Sequence, residues 1–204
     1  MGDSFETQEK ILAAALKLFA QKGYNGTATI EIAREAGVSE ASIFKYYKTK
    51  KILLHSVLKK IVSEIIPGLA LGAIKVGMEI LSTDNSREAL KKFLMHNIGK
   101  IEENIGAFKV FLNEVQYHDD IKKEYFENFV PKVLGTIEAG VKRAVEHGEF
   151  RDVNTRTAAR SLMSMLAFMI IDAKVLGTPL DFDRELDTIL DIYFNGVLAK
   201  KEGE

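Results

Sequence analysis

The residues best suited to chemistry lie in a basic run that follows a short turn. Between residues 40 and 60 the chain carries six lysines, and its acidic residues there are limited to Glu40. Because ammonium groups bind phosphate oxygens, such a cluster predicts contact with a nucleic acid. The charge is local, since residues 1–60 have a net charge of +4, residues 61–204 of −5 and the whole chain of −1.

The segment before this run has the pattern of two short helices joined at a sharp turn. Thr29 suits the N-cap of the first helix, and Ile32 and Ala33 fall on one face of it. Gly37 suits the left-handed conformation that ends a helix, and Ser39 suits the N-cap of the next one. The spacing predicts a helix-turn-helix.

The second helix of this motif has a candidate reading face. With Ile43 and Tyr47 directed inward, Ala41 and Lys45 lie on the opposite side. Small side chains allow close approach to a major groove, while Lys45 can reach a guanine edge or a phosphate. The predicted DNA-binding residues are Thr29, Ser39, Glu40, Ala41, Ser42, Phe44, Lys45, Tyr46, Lys48 and Lys50.

Residues 5–53 resemble the DNA-binding domain of the TetR family of bacterial transcriptional regulators. The resemblance runs through ILAAALKLFAQKGYNGTATIEIAREAGVS and continues at Ile43, Phe44, Tyr47, Lys50 and Leu53. The family pattern usually has Tyr and His where this chain has Phe44 and Tyr46, so operator preference is not transferable. The resemblance implies that the helix after Thr49 is a lever whose tilt sets the spacing of two DNA-binding domains.

Composition is that of a soluble protein with one or two cores. The chain has 204 residues, 47% of them apolar, and no cysteine, which fits a reducing cytosol. It has no signal sequence and no apolar stretch approaching the roughly 20 residues of a membrane span. We therefore expect a cytoplasmic protein with a DNA-binding domain at 1–50 and an effector-binding and dimerisation domain at 51–204.

Helical periodicity continues through the body and predicts an all-α fold. The expected helices cover about 50–66, 86–103, 105–117, a long segment from Asp119 to Gly148 that Pro131 must kink or divide, 155–176 and 183–199. The segment 69–81 also has a helical pattern, and a polar loop follows it.

The last two helices are predicted to form a dimer interface. From Leu162 to Val175 nearly every position is apolar or small, so this helix needs cover on more than one side. The family resemblance implies a four-helix interface made by these helices in two subunits. The predicted interface residues are Ala159, Ser164, Ala167, Leu186, Leu190, Tyr193, Gly196 and Val197.

The body is rich in Met and Phe, which are typical of a core and also of an apolar cavity. Asp172, between two apolar residues, needs either a basic partner across the dimer or a ligand. The predicted effector-pocket residues are Phe93, Asn97, Phe108, Phe111, Glu114, Tyr117, Phe126, Phe129, Met165, Phe168, Met169 and Asp172.

No catalytic set, phosphate-binding glycine loop or zinc motif occurs, so we expect no enzyme, no cofactor and no metal site. His118, Asp119 and Asp120 have metal-ligating side chains, but at a helix junction they suit capping better.

The favoured interpretation is a dimeric repressor that leaves a palindromic operator when an apolar small molecule binds. Two alternatives stay open: a helical ligand-binding or scaffold dimer whose helix-turn-helix is structural, and a small-molecule enzyme with its site in the body.

Overall fold

A computed structural model describes residues 2–68 and 86–196, and all regular structure in these ranges is helical, as the sequence predicts. The predicted helix at 69–81 lies outside the described residues. The helices are, in chain order, α1 (Gly2–Lys22), α2 (Thr29–Ala36), α3 (Glu40–Tyr46), α4 (Lys50–Lys60), α5 (Ser86–Glu103), α6 (Ile105–Glu114), α7 (Asp119–Lys123), α8 (Val130–Glu146), α9 (Thr155–Ile171) and α10 (Phe182–Asn195).

Three of these helices continue into π-helical segments, and α6 continues into a 3₁₀ turn at Val115–Tyr117. The π-helical segments follow α4 at Ile61–Ile65, α7 at Glu124–Phe129 and α9 at Asp172–Leu176. With these extensions, the helices expected at 50–66, 86–103, 105–117 and 155–176 are confirmed.

Pro131 stands at the second position of α8, directly after a π-helical segment. Proline has no N–H, and in a regular helix its ring meets the carbonyl four residues earlier. A widened turn before the proline relieves that contact. The helix is therefore not divided at Pro131, since helical residues run without a break from Asp119 to Glu146, and a kink there stays a prediction.

The described residues form two compact units. The first unit holds the residues up to Gly68 together with Glu103–Phe129, and the second holds the rest. Residues 51–68 and 103–129 thus cluster in space with the helix-turn-helix, although the domain boundary predicted from the sequence places them in the body. The functional boundary near residue 50 stays a prediction.

The core of the first unit joins α1 to α4 with α6 and α7. Its fully buried side chains include Ile11, Ile32, Ile43, Leu53 and Leu58, each with at most 1% of its surface exposed. The inward positions predicted for α2 and α3 are confirmed, because the spacing of apolar residues follows the helical period.

The turn between α2 and α3 has the predicted geometry. Gly37 adopts a left-handed conformation with φ of 67°, which a side chain would resist. The N–H of Val38 donates to the carbonyl of Ala33 at 3.0 Å and closes the end of α2. The hydroxyl of Ser39 then accepts from the N–H of Ser42 at 3.1 Å, which confirms Ser39 as the N-cap of α3.

The predicted N-cap of α2 is wrong by one residue. Ala28 occupies the cap position and Thr29 is the first residue of the helix. The carboxylate of Glu31 accepts from the N–H of Ala28 at 3.0 Å, which is the bond of a capping box that needs no hydroxyl at the cap position. Thr27 was missed at the sequence level: it is buried, and its hydroxyl donates to the carbonyl of Gly23 at 2.8 Å.

The second unit has two small cores that account for several residues predicted to contact a second copy. Leu186 packs with Ile98 and Met169, and Ala159 packs with Leu134 and Val141. Ala159, Leu186 and Leu190 are completely buried within the chain itself. The prediction that these three residues contact a second copy is wrong, because a side chain that is completely buried in its own chain cannot touch another subunit.

One close approach in the first unit gives a stability prediction. A Cβ placed on Gly106 of α6 would lie 3.1 Å from the Cβ of Ala20 on α1. We expect Gly106→Val to lower the free energy of unfolding by about 1–3 kcal/mol, because a larger side chain overpacks this contact. Gly99→Ala is the control: it has open space in α5 and should stabilise by about 0.5–1 kcal/mol. Urea denaturation followed by circular dichroism measures both, and a Gly106→Val protein as stable as wild type would contradict the close contact.

Candidate nucleic-acid interface

The exposed face of α3 carries the side chains that the sequence predicts for DNA contact. Ile43 and Tyr47 are buried, whereas Ala41 and Lys45 are exposed and Phe44 has 44% of its surface exposed. A helix anchored on one side by two buried residues can present the opposite side to a groove without losing its packing.

The first turn of α3 is held to α2 by a side-chain hydrogen bond. The hydroxyl of Thr29 donates to the carboxylate of Glu40 with an oxygen–oxygen distance of 2.5 Å. The hydroxyls of Ser39 and Ser42 lie 2.8 Å apart in the same turn. Thr29, Glu40 and Ser42 therefore have partners within the motif, which fixes the angle between the two helices.

The lysines of this region fall into two groups. Lys17 and Lys22 form ion pairs with Glu35 and Glu31 at 2.5 and 2.6 Å, and Lys60 pairs with Glu9. The second group is Lys45, Lys48, Lys50, Lys51 and Lys59, for which the described part of the chain supplies no carboxylate partner. Their positive charge is available to a phosphate.

Lys50 opens α4. Thr49 is the N-cap of this helix, as predicted, and its hydroxyl accepts from the N–H of Ile52 at 3.1 Å. The ammonium of Lys50 lies 4.4 Å from the centre of the Tyr24 ring, and partial burial lowers the pKa of this lysine. Lys45 lies less closely over Tyr46, at 5.4 Å from the ring centre. Helix N–H groups and a nearby ammonium together favour an anion at this position.

Two exposed apolar side chains beside this surface were missed at the sequence level. Ile30 on α2 has 50% of its surface exposed and Ile52 on α4 has 46%. The helical period does identify them as outward positions, but it cannot tell an apolar residue that contacts a partner from one that contacts water.

The residues predicted to line an effector pocket are divided between the two units. Phe108, Phe111, Glu114, Tyr117, Phe126 and Phe129 belong to the first unit, and Asn97, Met165, Phe168, Met169 and Asp172 belong to the second. The side chain of Phe93 lies outside the described part of the chain. Phe111 and Met169 are buried, whereas Tyr117, Phe126 and Phe168 are exposed by 73%, 51% and 62%. Their grouping around a ligand stays a prediction.

Asp172 has a structural role that its sequence context does not indicate. Its carboxylate accepts from the hydroxyl of Thr178 at 2.6 Å, and its carbonyl accepts from the N–H of Thr178 at 3.1 Å. Asp172 and Thr178 therefore close the π-helical segment that follows α9. The carboxylate has a partner in its own chain, and a further basic partner or ligand stays a prediction.

A pocket of about 530 Å³ lies within the second unit, between the start of α9 and the end of α10. Aromatic side chains of Phe150, Tyr193 and Phe194 form part of its wall, and Met165 of the predicted effector set also lines it. The hydroxyl of Tyr193 donates to the carbonyl of Ala158 at 3.3 Å, and burial raises the pKa of Tyr193 to about 12. Tyr193 thus packs within its own chain.

The remaining predicted interface residues lie near this region. Ser164 and Ala167 are exposed on α9, and Gly196 ends α10 with φ of 78°. Val197 lies outside the described residues.

The structure also shows what surrounds His118, the histidine at the predicted capping junction. His55 of α4 contacts the carboxylate of Asp120 at 2.6 Å, and its ring lies 5.8 Å from that of His118. Burial, and then the charge of His55, lowers the pKa of His118. Within the described ranges, no group of three or more His, Asp or Glu side chains has the arrangement of a metal site.

Comparison with known proteins assigns the DNA-binding segment to a family. Residues 11–57 match the family model for bacterial regulatory proteins of the TetR family. Residues 11–57 therefore have the DNA-binding segment of the TetR family. Its N-terminal part is 47% identical over 53 residues to YuxN, an uncharacterized HTH-type transcriptional regulator of Bacillus subtilis strain 168, covering 26% of this chain and 18% of that protein. The first three curated relatives are matched over 18% to 41% of their own length.

Solved structures extend the likeness beyond the DNA-binding segment. PfmR, a TetR family transcriptional regulator from Thermus thermophilus, has a TM-score of 0.67 and 25% identity, with 93% of this chain and 99% of that chain covered. FadR from Bacillus subtilis, solved in complex with stearoyl-CoA, has a TM-score of 0.62 and 17% identity over 93% and 99% of the two chains. These matches show that the TetR fold spans almost the whole chain. No helix in the described ranges has the length and apolar content that a membrane span requires.

The geometry of this candidate interface predicts two kinds of contact. Lys50 at the start of α4 should bind a phosphate, which positions the protein without reading sequence, whereas Lys45, on the exposed face of α3, should face the groove. We expect Lys50→Ala to weaken binding to all DNA sequences by a similar factor and to reduce the salt slope by about one unit. Lys45→Ala should cost on the order of 1–3 kcal/mol and relax preference at one position of each half-site.

The measurement is a salt titration on operator and scrambled DNA. Lys132→Ala is the control, since it removes one exposed lysine charge from α8 in the other unit. If the Lys45 and Lys50 variants both bind as wild type does, α3 and the start of α4 do not contact DNA.

Proposed function

We propose that this chain is a transcriptional regulator that binds double-stranded DNA through α3 and the start of α4. The observation that carries the proposal is that Lys45, Lys48 and Lys50, between the end of α3 and the start of α4, have no carboxylate partner in the described residues, whereas Lys17, Lys22 and Lys60 are paired with glutamates. Three like charges repel one another unless an anion lies between them, so their clustering favours a phosphate-bearing partner. The match of residues 11–57 to the TetR family model supports the same function.

We propose that the regulator acts as a homodimer on a palindromic operator. A single α3 reads few base pairs, and two-fold symmetry of protein and operator doubles the contacts. The partner surface that we propose is the exposed side of α9, where Ser164 and Ala167 are small and Phe168 has 62% of its surface exposed. An exposed phenylalanine beside small residues permits close contact between helices.

We propose further that the regulator is a cytoplasmic repressor, without catalytic activity, that an apolar small molecule releases from DNA. The fatty-acyl class of effector is supported by FadR, a neighbour in fold that was solved with stearoyl-CoA. The richness of the body in Met and Phe is consistent with such a ligand, because these side chains form adaptable apolar walls.

Direct DNA binding is tested with the segment upstream of the chain's own coding sequence. In a gel-shift assay, wild type should retard this duplex and a Lys45→Ala/Lys50→Ala double variant should not. Equal retardation by both proteins would exclude the proposed surface. Retardation by neither would favour a ligand-binding or scaffold protein.

The dimer is tested by placing charge on the exposed side of α9. Ala167→Arg should give monomers in light scattering while the helical circular dichroism stays unchanged, because this position is exposed in the single chain. Leu190→Arg should instead reduce folding, since Leu190 is completely buried. His96→Arg, at an exposed position of α5, is the control. An Ala167→Arg protein of the same mass as wild type would rule out this interface.

The effector class is tested by thermal shift and by release from DNA. A ligand that binds only the native state stabilises the protein by about 2.7 kcal/mol when its concentration is about 100 times its Kd. Stearoyl-CoA and palmitate should raise the melting temperature and weaken the gel shift, whereas glucose and divalent cations should do neither. Stabilisation by the sugar or the metal ions alone would contradict the proposal.

A further inference from the structure

Tyr24 and Lys50 form a contact that links the loop after α1 to the start of α4. Tyr24 lies one residue after the glycine that ends α1, and its ring meets Phe19 edge-on with 5.6 Å between ring centres. It is half-buried and packs against the core of the first unit. Lys50 is the first residue of α4, and its ammonium lies 4.4 Å from the centre of the Tyr24 ring. The core thus holds the Tyr24 ring in place, and the ring holds the Lys50 ammonium.

An aromatic ring holds a lysine in a different way from a carboxylate. A carboxylate neutralises the ammonium and competes with phosphate for its N–H donors, as in the pairs Lys17–Glu35 and Lys22–Glu31 nearby. A ring attracts the cation through its quadrupole and carries no net charge, so the full positive charge stays available. A ring contact therefore orders the side chain and preserves its attraction for an anion.

Restraint of the Lys50 side chain matters for phosphate binding because an unrestrained lysine side chain is flexible. Binding a phosphate requires the four-carbon chain to adopt one arrangement, and that loss of freedom opposes binding. A lysine already held in place loses less on binding. Partial burial of Lys50 agrees with a restrained side chain.

We propose that Tyr24 is a positioning residue for DNA binding, whose ring holds the Lys50 ammonium at the start of α4 where a backbone phosphate docks. The proposal rests on the proposed function, because it assigns Tyr24 a role in the same interface. Tyr24 itself needs no contact with the DNA. The contact of the Tyr24 ring with Phe19 and the surrounding core only anchors the ring.

A double-mutant cycle tests the role. Wild type, Tyr24→Leu, Lys50→Ala and the double variant are titrated with operator duplex and with a scrambled duplex over a range of salt concentrations. Tyr24→Leu should weaken binding to both duplexes by about two- to fivefold, the range that an exposed cation–π contact supports. Its salt slope should equal that of wild type, because Lys50 is still present and charged.

Two further results are expected from the same set. In the Lys50→Ala background, Tyr24→Leu should have no additional effect, since the side chain that the ring positions is absent. Tyr24→Phe should bind within about twofold of wild type, because it keeps the ring. Thermal melts by circular dichroism control for folding, and Tyr24→Met, which is nearer in length, replaces Tyr24→Leu if the leucine variant melts early.

Three outcomes would overturn the positioning role while wild type still binds its operator. An equal loss for Tyr24→Leu with and without Lys50 would show that the ring acts through packing alone. A Tyr24→Phe protein as weak as Tyr24→Leu would show that the hydroxyl contacts DNA directly. Wild-type affinity for Tyr24→Leu would show that the ring has no role. Failure of wild type to bind any duplex would instead remove the proposed function, and this inference with it.

Discussion

Burial of α4 is the constraint on which the rest of the first unit depends. Leu53, Leu54, Val57 and Leu58 have at most 2% of their surface exposed, so successive turns of this helix are enclosed. They share one core with residues of α1, α2, α3 and α6 and with Ile121 of α7. Because interiors are close-packed, α4 cannot shift without a response from these neighbours. A shift of α4 beneath the proposed DNA-binding surface would therefore require helices that lie far along the chain to move as well.

The distribution of ion pairs also distinguishes this surface from the rest of the first unit. Carboxylates on α2 and α1 match the lysines that face other helices, and most of the side chains without such partners gather where α3 ends and α4 begins. Thr29 and Glu40 fix the angle between α2 and α3 through one hydrogen bond. Local electrostatics and packing thus agree on which side of the motif is free to meet another molecule.

Much of this arrangement could be predicted from the sequence, since it depends on local rules. Gly37, Ser39 and Thr49 carry geometry in their residue type, and Ile43 and Tyr47 follow the helical period. The cap of α2 was missed because Ala28 has no capping side chain, and its own N–H donates to Glu31 instead. Contacts between distant residues, such as Tyr24 with Lys50, have no local signature at all.

The second unit shows the limit of periodicity more clearly. An apolar stripe says that a side chain is covered but does not identify what covers it. Leu186 and Leu190 have the same pattern whether their cover comes from their own chain or from a helix of another copy. The sequence pattern favoured a second copy, and the structure buries both residues internally. The partner of Asp172 was missed for a related reason, because Thr178 lies six residues later in the chain.

The π-helical segment after α4 has a consequence for how this chain is compared with its relatives. In such a segment the N–H of Ile66 reaches back five residues to the carbonyl of Ile61, so the turn contains one residue more than an α-helical turn. A single inserted codon is enough to create it. A relative that lacks the extra residue would keep a continuous helix but rotate every later side chain by about 100°. Equivalent columns of an alignment would then face different neighbours beyond this point, even where the helix itself is common to both proteins.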